Sequence, residues 1–270
     1  MVRRDVAVDI GLWRSARGDT HPHTGIIVDW DYWPQATHLV WEAPALIACV
    51  SGSGGGSQQA VFKRDLDPIL AGALERWQRA QLGSPTSALD RFFAEVQAGF
   101  DALVEAWADE YQATGVAVLV RDDGAAIGNV GIDRVYRWRD GRLEQLTVDD
   151  SLAKKAAPAQ VPEWFRHTSA AALRKASPTR EGFNRWNVQR LDAKPGDLLV
   201  LAAGVHDVTT SYFAGALEQI FEAGQIAGAQ DIASRLGDTM TRFAAVSPRG
   251  ERTEWKIHSR LSLAVVWVDD

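Results

Sequence analysis

Valine and isoleucine alternate with other residues over Val6-Ala7-Val8-Asp9-Ile10, and Gly25-Ile26-Ile27-Val28 is a second β-rich run beyond a polar turn. Period-two alternation predicts strands, and their closeness along the chain predicts that these two pair antiparallel. Leu46-Ile47-Ala48-Cys49-Val50 is an uninterrupted apolar run that breaks into Ser51-Gly52-Ser53-Gly54-Gly55-Gly56-Ser57, which reads as a buried strand entering a glycine loop. The period then changes. Leu66, Ile69, Leu70, Ala73, Leu74 and Trp77 recur on one helical stripe, and Phe92, Phe93, Val96, Phe100, Leu103, Val104 and Trp107 on another. Gly83 to Ser87 is the turn between them, where Ser87 and Asp90 have the spacing of a capping box.

Short β-rich runs return at 116–120, 125–130 and 134–138, with Asp122-Asp123-Gly124 and Arg139-Asp140-Gly141 as turn signals, a pattern that predicts a meander. Asp197 to Ala202 reads as a buried strand, Tyr212 to Ala227 as a helix and Leu261 to Val268 as a closing strand. Strands, two helices, strands, a helix and a final strand make an α+β arrangement in which helical layers cover sheets. No repeat or linker divides the chain, so a single domain over 1–270 is expected.

Composition narrows the class. Of 270 residues, 46% are hydrophobic and 24% charged, ordinary values for a folded globular chain. A net charge of −6 argues against a non-specific nucleic-acid binder, which needs a basic face. The single cysteine, Cys49, rules out an intrachain disulfide, and no segment has the length of a membrane span or the apolar stretch of a signal peptide, so a cytoplasmic location away from membranes is the expectation. Eleven tryptophans are scattered from Trp13 to Trp267, and packing is the reading for most of them.

Candidate chemistry is sparse. The Gly52 to Gly56 run could cradle a phosphate with backbone N–H groups, but no lysine follows until Lys63, against a P-loop, and Ser51 stands where a nucleophile elbow around Ser53 needs glycine. Asp19, His21 and His23, with Asp29 and Asp31, form a loose set of transition-metal donors, for which a solvated turn is the simpler reading.

The stretch Gly128-Asn129-Val130-Gly131-Ile132-Asp133-Arg134-Val135-Tyr136, followed by Asp140-Gly141 and Leu146-Thr147-Val148-Asp149-Asp150-Ser151, resembles the type 2C metal-dependent protein phosphatases, the PPM family. Members carry N-V-G-D-S-R-x-Y, a hairpin with D-G, and L-T-x-D-H-S. Other landmarks follow in the family's order: Asp9 to Asp19 is similar to D-x-G-x-x-R-x-x-N-E-D, Val50 to Gly55 to A-D-G-M-G-G, Gly196 to Asp207 to G-D-x-L-L-L-C-S-D-G-V-x-D, and the last strand to D-N-x-T-V-V-V-V.

The resemblance implies a four-layer α-β-β-α sandwich of two antiparallel sheets flanked by helix pairs. It also implies two Mg2+ or Mn2+ ions held by carboxylates, with a metal-bridging water that attacks phosphoserine or phosphothreonine. Carried over position by position, the expected acids are mostly replaced: they fall on Gly18, Ser51, Ile132, Ala203 (or Gly204) and Ser259. Asp19 keeps its carboxylate, Gly52 its carbonyl, and Arg14 matches the arginine that grips substrate phosphate.

A pair of hard divalent ions needs anionic oxygens that this set lacks. The expectation is therefore a pseudophosphatase with no catalytic residues and no resident cofactor, whose residual metal position at Asp19 and Gly52 is weak at most. Its expected partner is a protein, a kinase or a phosphoprotein by analogy with the family. The alternative is an active but divergent metal-dependent protein serine/threonine phosphatase. It would take ligands such as Asp19, His21, His23 and Asp29 or Asp31 around a transition metal; separately, a register shifted by a residue would let neighbouring acids fill in, Asp133 for Ile132, Asp207 for Ala203 and Asp269 or Asp270 at the end. Asp133 is disfavoured for that role because it falls on the opposite face from Ile132 if both lie in a strand.

Overall fold

Alternation along two central strands generates the layers. The structure, a computed structural model, describes residues 6–9, 19–20, 26–28, 36–43, 46–53, 59–80, 83–103, 112–151, 169–176, 184–203, 207–224, 226, 231–232, 235–236 and 262–268. Strand β6 (Gln112–Arg121) sends Val116, Val118 and Val120 to one face and Ala113, Ala117 and Leu119 to the other, and all six are buried. Strand β11 (Leu198–Ala203) does the same with Leu199, Leu201 and Ala203 against Leu198, Val200 and Ala202. A strand covered on both faces reads as a continuous apolar run, because neither parity meets water.

Two antiparallel sheets result. One is five-stranded, in the order β1 (Val6–Asp9), β12 (Ser262–Val268), β11, β8 (Arg134–Arg139), β9 (Arg142–Gln145). The other has seven strands, in the order β10 (Asn187–Leu191), β7 (Gly124–Val130), β6, β5 (Leu46–Ser53), β4 (Ala36–Ala43), β3 (Ile26–Val28), β2 (Asp19–Thr20). Val116, Val118, Ile127, Val135, Leu199, Leu201 and Val266 fill the space between them. Helices α1 (Gln59–Arg79) and α2 (Pro85–Asp101) cover the larger sheet, and α3 (Asp207–Glu222), with Ile232 and Leu236, covers the smaller one. The expected order of helix, sheet, sheet, helix is the one observed.

The helical stripes land as the periodicity predicts: Ile69, Leu70, Ala73, Leu74 and Trp77 of α1 and Phe92, Phe93, Val96 and Phe100 of α2 are buried. Each aromatic ring removed from water stabilises the fold by roughly 1.5–3 kcal/mol. The Trp77 indole Nε1 donates to the Ala88 carbonyl at 2.7 Å, tying one helix to the other. Gly128 lets α2 lie close to the sheet, since a Cβ there would stand 2.5 Å from Phe93 Cε2. Trp138 and Trp186, both half-buried, make ring contacts with Phe221 and Phe93, consistent with the packing reading of the tryptophans.

Several local expectations need correction. Strand β1 does not pair with β3; it joins β12, with Val6 opposite Val268, while β3 lies between β2 and β4 in the other sheet. Alternation identifies a strand and its faces, and a distant strand with a matching face can outcompete a near neighbour. The run from 116 to 138 is not a meander: β6 and β7 form a hairpin in the seven-stranded sheet, and β8 and β9 a hairpin in the five-stranded one. Ser84, not Ser87, caps α2. Pro85 opens the helix, so the Ser84 hydroxyl accepts from the Ser87 N–H at 3.3 Å, while Asp90 accepts from Trp186 Nε1 at 2.7 Å. The second helix ends at Asp101, and Val104 and Trp107 of its expected stripe lie outside the described residues. Among the described residues no helix is long and apolar enough to cross a membrane.

Candidate functional site

The chain passes from one sheet to the other across Gly131-Ile132-Asp133, and this crossover carries the position where the resemblance expects an acid. Gly131 adopts φ +80, which turns the backbone out of β7. Its carbonyl accepts from the Asp150 N–H at 2.8 Å and from Asn129 Nδ2 at 3.3 Å, and Asn129 Nδ2 also donates to the Val148 carbonyl at 3.0 Å. The loop 146–151 is thereby fastened to the crossover. The Asp150 carbonyl in turn accepts from the Ala170 N–H at 2.7 Å, and Leu173 exchanges two backbone bonds with Ala113 at the start of β6.

Two carboxylates of this loop are each gripped by a guanidinium. Arg134 donates Nε to Asp149 Oδ1 at 2.9 Å and Nη2 to Oδ2, Gln145 Nε2 adds a third bond to Asp149 at 3.0 Å, and Arg134 Nη1 donates to the Tyr136 hydroxyl at 3.2 Å. Burial works against the Arg134 charge, but the bonds to Asp149 and Tyr136 outweigh it and hold the guanidinium above its ordinary range. Burial likewise pushes the Tyr136 phenol up, so it stays neutral. Asp150 accepts both Nε and Nη2 of Arg185, a bidentate pair between residues 35 apart in sequence.

Ile132 is 7% exposed and Ala203 fully buried, the latter beside Leu199 and Leu201 on the face that meets the opposite sheet. Ser51 and Gly52 lie at the end of β5, opposite Thr114 and Ala113. Asp19 lies in β2, with β3 and β4 between it and β5. Arg14, Gly18, Gly204 and Ser259 lie outside the described residues, as do His21, His23, Asp29, Asp31, Gly54 to Gly56, Asp269 and Asp270. Asp207 is the first residue of α3.

The placement of Asp133 corrects one premise. Neither Ile132 nor Asp133 is in a strand; both occupy the crossover turn, and both are buried, Asp133 at 1% exposure. Opposite sheet faces therefore do not separate them. Sequence reasoning also missed the pairing of Asp149 and Asp150 with Arg134 and Arg185. The signal available was Asp150 itself, an added anion where the resembled motif has histidine, which calls for a cation without saying which one.

Two divalent ions would require several carboxylate oxygens converging between the sheets. Ile132 and Ala203 offer carbon, and Asp149 and Asp150 already satisfy guanidinium groups, so these residues do not fit a two-metal centre. Among the described residues no group of three or more His, Cys, Asp or Glu side chains is placed to hold a metal ion.

No protein-family model and no curated protein sequence matches this chain. Solved structures do. The Mycobacterium tuberculosis serine/threonine phosphatase PstP/Ppp superposes with a TM-score of 0.62 at 18% identity, covering 99% of both chains. The PPM Ser-Thr phosphatase MsPP of Mycobacterium smegmatis, in complex with cacodylate, gives 0.56 at 18% identity, covering 99% of this chain and 98% of that one. The chain has the fold of the PPM-type serine/threonine phosphatases. A structure of the PstP catalytic domain that holds two manganese ions superposes at 0.58 with 21% identity, over 99% of this chain and 98% of that one. At such identities the shared property is the fold, and the chemistry rests on this chain's own residues.

Proposed function

We propose that this PPM-fold chain is a pseudophosphatase, a protein that binds a protein partner without hydrolysing phosphate. One observation carries the reading: Ile132 and Ala203, at two positions where the resemblance expects metal-binding carboxylates, are apolar and buried. Enzymes accelerate phosphate monoester hydrolysis by up to about 10²¹-fold, a task that in this fold falls to a metal-activated water, and no lone arginine substitutes for it. The partner favoured is a phosphoprotein, with Arg14 and the Gly52 to Gly56 run as the anion-binding elements. Purified protein with Mn2+ is expected to leave p-nitrophenyl phosphate intact while binding a phosphoserine or phosphothreonine peptide in an Arg14-dependent way. Hydrolysis abolished by Asp19→Ala would overturn the reading.

A second reading, an active but divergent metal-dependent serine/threonine phosphatase, draws on the buried carboxylate of Asp133 beside Ile132. It requires stoichiometric binding of Mn2+, Mg2+ or Zn2+. Calorimetry that finds none of these ions bound at near-millimolar concentration removes it.

A further inference from the structure

Asp149 and Asp150 place two adjacent carboxylates, 19% and 14% exposed at the side chain, in the loop that fastens the sheet crossover. Sequestering two anions from water costs several kcal/mol each unless cations compensate them. Arg134 compensates the first from the neighbouring strand. Arg185 compensates the second from a segment far along the chain, and that segment is anchored on both sides of it. Asn184 Nδ2 donates to the Arg174 carbonyl at 2.9 Å, and Trp186 stacks on Phe93 with ring centroids 6.2 Å apart. The guanidinium is thus a positioned charge, and its fork matches the carboxylate geometrically.

We infer that Arg185 acts as a built-in cation at this end of the sandwich, neutralising Asp150 and holding the crossover loop without a divalent ion. The inference rests on the reading of the chain as metal-free. It goes beyond it by assigning the stabilising charge to one side chain and by explaining why an extra anion at position 150 is tolerated. Arg185 is a positioning residue in this sense: it acts on the crossover through Asp150, whose backbone N–H bonds the Gly131 carbonyl.

Thermal unfolding of the full chain, run in chelator and in millimolar Mn2+ or Mg2+, tests the assignment. Wild-type Tm is expected to be the same in all three. Arg185→Gln leaves Asp150 without its cation and is expected to lower Tm by about 3–6 °C, equally in chelator and in Mn2+, because a single free carboxylate does not hold a divalent ion at millimolar concentration. Asp150→Asn combined with Arg185→Gln removes both charges, and is expected to melt close to wild type and to ignore the ions. If Arg185→Gln does not fold, Arg185→Lys, which keeps the charge and loses the fork, is expected to show a smaller drop with no response to Mn2+. An Arg185→Gln variant that melts with the wild type, a double variant no more stable than Arg185→Gln, or an Arg185→Lys variant that loses as much overturns the inference while the binding reading stands. Phosphate hydrolysis by the wild type sinks that reading instead, and leaves the unfolding comparison interpretable.

Discussion

Gly131→Ala is the sharpest perturbation of the crossover from β7 to β8. The residue sits at φ +80, a conformation that costs an L residue about 1–2 kcal/mol. A Cβ at this point would also stand 2.9 Å from Thr114 Cγ2 and 3.0 Å from the Ala171 carbonyl oxygen, with the Ser169 hydroxyl closer still. The hydroxyl can rotate away. The carbonyl belongs to a backbone fixed by the Ala113 to Leu173 bonds, and Thr114 belongs to β6, so those two contacts do not relax cheaply. Overpacking a filled interior costs about 1–3 kcal/mol, giving a total of about 2–5 kcal/mol. Gly141 is the internal control: its φ is +73, but nothing lies within 4 Å of an added Cβ, so Gly141→Ala is expected to carry only the conformational part, about 1–2 kcal/mol. Urea denaturation of both variants, compared at equal slope, separates clash from strain. A Gly131→Ala variant no less stable than Gly141→Ala would refute the close approach of the 169–171 segment to the crossover.

Other expectations are testable with the same equipment. Arg134→Met strands Asp149 with Gln145 as its remaining side-chain partner and is expected to destabilise by about 2–4 kcal/mol, while the added change Asp149→Leu restores most of that; a double variant no better than the single would show that the pair is not the cause. Glu95 is held below its ordinary carboxyl value of 4.5, first by the hydrogen bond from Arg76 and further by the charge of Arg91, against the opposing effect of burial. A lowered folded-state value stabilises above about pH 4.5 and is lost as pH falls through it, so Glu95→Gln is expected to flatten the acid limb of stability between about pH 6 and about pH 3, as read by urea midpoints. Ser84→Ala removes the cap of α2 and is expected to cost about 1 kcal/mol, with Ser87→Ala costing less because Ser87 lies inside the helix.

Most secondary structure is legible in the sequence because burial on one or two faces leaves a period. Phe92, Phe93, Val96 and Phe100 announce a helix with one covered side, and the unbroken run Leu198 to Ala203 announces a strand covered on both. Partnership leaves no such mark. Nothing local in Val6 to Asp9 distinguishes β12 from β3 as its neighbour, and nothing in 116–138 marks the change of sheet except Gly131, whose left-handed backbone is visible only once the structure is known. The Pro85 that moves the cap to Ser84 was readable, but the wider Ser-rich turn offered several hydroxyls.

The site divides in the same way. The motif order points to Ile132 and Ala203, and the structure finds both buried, at the crossover and at the end of β11. The ion pair of Asp150 with Arg185 joins positions 35 apart, and only the folded path of the chain brings those charges together.

The central claim is that, among the described residues, the space between the sheets near Ile132 and Ala203 does not bring together the carboxylates that paired divalent ions need. A crystal soaked in Mn2+ and measured for anomalous scattering tests it most directly. The account predicts no pair of manganese peaks there. Two peaks about 3.5–4 Å apart, bridged by oxygen and flanked by carboxylates of this chain, would contradict it.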